Sequence, residues 1–255
     1  MTEAPNVKSL YLAWQGPNRM WFPVGRLDAD VAHNHYVFGY TKGALRAERE
    51  VGFRALPPFP DLHEEYEAKE LFPLFKNRVL DSSRRNFSEY LESLGLEHND
   101  PIEILAVTGG ERRTDNLEVF PRIVKDAAGE FSCRFFLHGL RHMSEEARAR
   151  AMSLKPNEQL GVSIELTNPV TKLGIQLTTR PDYHFIGWTP HYLVRDLLGA
   201  TSAMDMIAAK VVRVNMDDVP LNRRVLIEFS GKLPKEVTPM SDPQFQLINQ
   251  SRAAA

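Results

Sequence analysis

Cysteine is almost missing from this chain: 255 residues contain one, Cys133. A single thiol closes no intramolecular disulfide and supplies no cysteine-based metal cluster, so disulfide scaffolds and zinc fingers are excluded and a reducing, cytoplasmic setting is expected. Long hydrophobic runs are missing too. No apolar stretch approaches the ~20 residues that span a bilayer, and the opening MTEAPNVKSL has neither the basic start nor the apolar middle of a secretory signal. No membrane partner is expected. A strong charge of either sign is also lacking, since 31 Lys+Arg face 33 Asp+Glu for a formal net of -2. The 43% hydrophobic and 25% charged fractions are those of an ordinary folded protein, which excludes disordered and fibrous classes for most of the length.

The near-neutral total hides a division. Residues 1–119 carry 14 Lys+Arg against 19 Asp+Glu, residues 120–233 carry 15 against 12, and the tail 234–255 is balanced at 2 against 2. The second stretch is therefore the better candidate for a polyanionic partner.

Patterning gives the elements. β-formers at 9–15, 21–27 and 36–40, separated by Gly, Pro and Asn, predict an antiparallel meander of short strands. Pro57, Pro58 and Pro60, set among aromatic residues, predict an extended segment laid on that sheet. Apolar residues at helical spacing follow over 71–80 and 87–94, with Gly95 as a C-cap. Asp100-Pro101 starts a third helix that ends at Gly109-Gly110. The polar stretch beyond the double glycine places a linker at 113–119, between a module at 1–112 and a second at 120–233, with 234–255 a tail without periodicity. In the second module strands are expected at 134–138, 159–166, 173–177, 183–188, 208–215 and 224–229, with short helices at 144–152 and 190–198. The fold class is α+β: a meander with helices, then a small β-barrel with short helices.

Candidate functional residues are few. Arg141 has the geometry to grip a phosphate, or to bridge to Glu145 or Glu146 at helical spacing. His138 and His142 stand four apart, but a strand and a glycine-containing turn separate them, so no metal is expected there. His63-Glu-Glu-Tyr lacks the second histidine of a metalloprotease. Tyr183, Phe185, Trp188 and Tyr192 are aromatic residues close in sequence to Arg180 and Arg195. Phe185 and Trp188 are expected in the core, while Tyr183 is either core or a stacking surface. Asp81-Ser-Ser-Arg-Arg85 reads as a turn between helices, with a phosphate-binding N-cap as the alternative. Cys133 has no basic partner in its motif and reads as an inert thiol. No nucleophile-base pair or carboxylate dyad stands at diagnostic spacing, so no catalytic residue, metal or cofactor is expected.

Two resemblances add to this reading. The segments 21–27 (WFPVGRL), 36–40 (YVFGY) and 71–80 (LFPLFKNRVL) occur in the order found in the small N-terminal subdomain of HipA-like toxin kinases, which residues 8–112 resemble. No Gly-rich phosphate loop, strand lysine with helix glutamate, or catalytic Asp-x-x-x-x-Asn follows, so kinase activity is not expected. The segments 136–142 (FLHGLRH), 160–169 (LGVSIELTNP), 173–177 (LGIQL) and 186–193 (IGWTPHYL) are similar to the HIRAN domain, over residues 133–232. HIRAN domains fused to DNA-remodelling motors bind single-stranded DNA ends, using an arginine and an aromatic after the first strand and a Tyr-Asp pair after Asn-Pro. The resemblance places the first pair at Arg141 and His142 and the second at Val170 and Thr171, a departure that argues against recognition of a free 3′ end.

The resulting expectation is a non-catalytic DNA-binding protein. Its second module would contact single-stranded DNA weakly through Arg141, His142, Arg180, Tyr183, Arg213 and Arg223, and residues 8–112 would contact a protein. The alternative is an adaptor or regulatory subunit of a separately encoded kinase, motor or nuclease.

Overall fold

Alternating β-formers build the first of two antiparallel sheets. A computed structural model describes residues 7–110, 112, 114–168, 172–199, 207–216 and 219–249. The chain divides into two units, one of residues 1–87, 99–122 and 240–255, the other of residues 88–98 and 123–239.

In the first unit β1 (Lys8–Gln15), β2 (Trp21–Asp30) and β3 (His35–Tyr40) form the expected meander. Outer strands β4 (Glu65–Ala68) and β5 (Leu117–Pro121) complete the order β4-β3-β2-β1-β5. Leu10, Leu12, Phe22, Val24, Leu27 and Phe38 are buried with Phe59, Phe75, Ile102 and Leu105 in the core. The proline-rich stretch lies on the sheet as expected: Phe59 stacks on Phe38 at 4.0 Å, and the Tyr40 hydroxyl donates to the Phe59 carbonyl at 2.7 Å.

Helix α1 (Lys42–Val51) was not expected, because the residues it buries, Gly43, Ala44 and Ala47, are too small to mark an apolar stripe. The helix read over 71–80 is reduced to one turn, α2 (Pro73–Lys76). Beyond it Arg78 turns inward and donates to the Leu74 carbonyl (3.1 Å), the Gly110 carbonyl (2.7 Å) and Asp115 (2.5 Å). Helices α3 (Phe87–Ser93) and α4 (Pro101–Thr108) form where expected. Asp100 caps α4 by accepting from the Ile102 N–H at 2.8 Å, and Gly109 closes it at φ 70°.

Two differences concern the expected boundaries. Residues 117–119, read as the end of a linker, are part of β5, where burial of Leu117 and Val119 against β1 outweighs the polar stretch before them. Residues 240–249, read as tail, belong to the first unit. There Phe245 packs 5.0 Å from Tyr11, and Leu247 bridges Thr41.

The second unit contains β6 (Glu130–Phe136), α5 (Glu145–Met152), β7 (Gln159–Asn168), β8 (Lys172–Thr178), β9 (Phe185–Trp188), α6 (Val194–Gly199), β10 (Ala208–Val214) and β11 (Val225–Lys232). Its sheet has the order β6-β11-β10-β7-β8-β9. Phe131, Phe135, Leu160, Ile175, Leu177, Ile186, Val211 and Phe229 are buried in it. The expected barrel is not found. Among the described residues no ladder closes the sheet; its outer strands meet only at an isolated bridge between His138 and Trp188, because the chain turns away at Gly139 (φ 81°). Among the described residues no helix is long and apolar enough to cross a membrane.

Candidate functional site

The bridge between the sheet edges shapes the site. The His138 N–H donates to the Trp188 carbonyl at 3.0 Å, and the Trp188 N–H returns the bond at 2.9 Å. A Cβ at Gly139 would stand 2.4 Å from the Trp188 ring, and one at Gly187 would stand 2.3 Å from the His138 carbonyl oxygen. Glycine at both positions is what permits this approach. Trp188 donates from Nε1 to Glu165 at 2.7 Å and takes Phe185 edge-on at 4.8 Å. Both aromatics, expected in the core, are only half-buried.

A 3-10 turn, Leu140–His142, follows Gly139. Leu140 is buried and anchors it, while Arg141 and His142 are exposed. Arg141 Nε donates to His142 Nε2 at 3.0 Å. A second 3-10 turn, Leu221–Arg223, lies beside the first. Asn215 fixes that turn by donating from Nδ2 to the Arg223 carbonyl at 2.6 Å. Among the described residues neither Arg141 nor Arg223 has a carboxylate within ion-pair distance, so the bridge from Arg141 to Glu145 or Glu146 is not formed.

The other candidates lie elsewhere. Arg213 is held by Glu92 at 2.9 Å. Arg180 and Tyr183 sit in the turn between β8 and β9, both exposed. Arg150, on α5, holds that turn through Asp182 at 2.6 Å and also binds Glu158 at 2.6 Å. The Arg150 guanidinium, helped by the Thr179 hydroxyl, holds the Asp182 carboxyl down to about 2. Eight residues of α5, about 12 Å at 1.5 Å each, run from the Arg141 turn to its far end near Arg150. Val170 and Thr171 lie outside the described residues.

His138 and His191 were not expected to act together. Each ring meets Tyr192 edge-on, at 6.5 Å and 5.3 Å. Burial pushes His138 down to about 4, and burial with the nearby His138 pushes His191 down to about 3. Their separation of more than fifty residues hid the pairing. Among the described residues no group of three or more His, Cys, Asp or Glu side chains could hold a metal. Burial, with the nearby Glu228, pushes the Cys133 thiol up to about 12, which leaves it protonated. Asp81 accepts from the Ser83 N–H at 2.8 Å in an exposed turn, but α3 starts only at Phe87, so those hydroxyls cap no helix. No family model, curated protein or solved structure matches the chain.

Proposed function

We propose that the second unit is a non-catalytic nucleic-acid-binding module whose phosphate contacts are Arg141, His142 and Arg223. The observation that carries this reading is the contact between the two 3-10 turns, one bearing the exposed Arg141 and the other Arg223, neither with a carboxylate partner among the described residues. Planar, always-charged guanidinium groups match the geometry of a phosphate, which they can grip through two N–H donors at once. Resemblance of residues 133–232 to the HIRAN domain supports the same reading, and we take the sheet with its tied edges as a variant of that small barrel. In this reading the first unit serves a protein partner, since exposed Glu65 and Glu67 on its outer strand repel a phosphate backbone.

Binding is weak because the contacts are few. Each neutralised phosphate contributes a slope of about -0.7 in log K against log salt for single strands. Fluorescence anisotropy with a labelled single strand at two salt concentrations tests the proposal. Arg141→Ala and Arg223→Ala should each lower affinity and flatten the slope by up to about 0.7. Wild-type affinity in both variants would overturn the assignment. Oligonucleotides ending in 3′-hydroxyl and 3′-phosphate should bind alike, since Val170 and Thr171 stand where a Tyr-Asp pair would read the end.

A further inference from the structure

We infer that the turn between β8 and β9 is a second contact point, with Tyr183 as a stacking surface for one unpaired base and Arg180 for the adjoining phosphate. This rests on the nucleic-acid reading above and names where single strands would be told from duplexes. Tyr183 is 73% exposed and the one aromatic among the exposed large hydrophobic side chains of the described residues. It has φ 57°, a left-handed conformation that turns ordinarily give to Gly, Asn or Asp. Among the described residues no other ring lies against it. A bulky side chain is thus held out in an unfavourable conformation, a combination that recurs where a turn has a ligand to meet.

The turn is also built to be rigid. The Thr179 N–H donates to the His184 carbonyl at 2.9 Å, and the His184 N–H donates to the Thr179 hydroxyl at 3.0 Å. Thr179 in turn donates to Asp182 at 2.6 Å, and Arg150 holds the same carboxylate from α5. Asp182 is the acid of this turn, and Arg150 shares its one charge between Asp182 and Glu158. Among the described residues Arg180 has no carboxylate partner, and its Nε lies near Gly161 of β7, 3.6 Å from where an added Cβ would stand. An aromatic face with a free guanidinium three residues away suits a base and its phosphate. Bases inside a duplex already stack on each other, so only an unpaired base can use Tyr183.

The test compares a single strand with a blunt duplex of the same length by anisotropy at two salt concentrations. Tyr183→Ala should weaken single-strand binding about five- to tenfold, with the salt slope and duplex binding unchanged, and Tyr183→Phe should bind like wild type. Arg180→Ala should instead flatten the single-strand slope by about 0.7. Tyr183→Gly relieves the left-handed backbone, so it should melt no lower than wild type and still lose single-strand affinity; this separates binding from folding. Unchanged single-strand affinity in Tyr183→Ala and Tyr183→Gly would overturn the inference alone if Arg141→Ala still weakens binding. If the wild type binds neither oligonucleotide, the nucleic-acid reading falls and this one with it.

Discussion

A methyl group at Gly187 would meet the His138 carbonyl, and one at Gly139 would meet the Trp188 ring. Gly187→Ala must move backbone, so it should destabilise the second unit by about 2–4 kcal/mol, read from urea unfolding. Full stability in that variant would mean that the bridge is dispensable. The two buried histidines make a different prediction. Both are depressed in the folded state from an ordinary 6.5, so the unfolded chain binds their protons first. The stability they contribute is complete above about 6.5 and is lost as pH falls toward 4 and 3. Glu158, Glu165 and Glu228, held below their ordinary 4.5 by hydrogen bonds, act only lower down. Melting curves from pH 7 to 5 should therefore show the second unit weakening, and His191→Leu should flatten that decline. The glycines were legible as a motif, but their reason was not, because the carbonyl and ring that exclude a side chain come from the opposite strand.

Each element's visibility in the sequence followed the size of what it buries. The meander was legible because large residues such as Leu10, Leu12, Phe22 and Phe38 alternate with polar ones, whereas α1 buries only glycine and alanine. Strand β4, Glu-Tyr-Glu-Ala, gave no strand signal because an outer strand needs few buried side chains. At the candidate site Arg141 was legible through its motif. Arg223, on the adjoining turn, was one basic residue among several, and the capture of Arg213 by Glu92 depends on a helix more than a hundred residues earlier. The Arg78 connection belongs to this scale as well, since it joins the end of α2 to the segment between α4 and β5. Its side chain is 1% exposed, against 30% for Asp115. Removing the carboxylate strands a buried charge, while removing the arginine leaves an acid that water can reach. Asp115→Ala should therefore cost about 3 kcal/mol and Arg78→Met less, measured by denaturant unfolding. The reverse order would show that the arginine acts mainly by packing.

For the molecule as a whole, the contiguous modules expected from the polar stretch beyond Gly110 and the change of charge differ from the units found, because neither feature carries information on which strands pair. Residues 88–98 join the second unit and 240–249 the first, so the chain passes between units at 87–88, 98–99, 122–123 and 239–240. A chain ending at residue 239 loses Phe245 from Tyr11, the bridge from Leu247 to Thr41 and the Ile248 N–H bond to the Tyr40 carbonyl at 2.9 Å. Losing a buried phenylalanine alone costs about 3–5 kcal/mol. Hydrogen exchange should accordingly quicken in β1–β3 and stay unchanged in β6–β11; equal quickening in both sheets would mean that the units unfold together. The same interleaving sets an order on the ribosome. Translation makes the first sheet's opening strands earliest, yet every strand of the second unit has been synthesised before Phe245 exists. The unit begun first is finished last, and through most of synthesis the nascent chain carries Tyr11 without the ring that completes its packing.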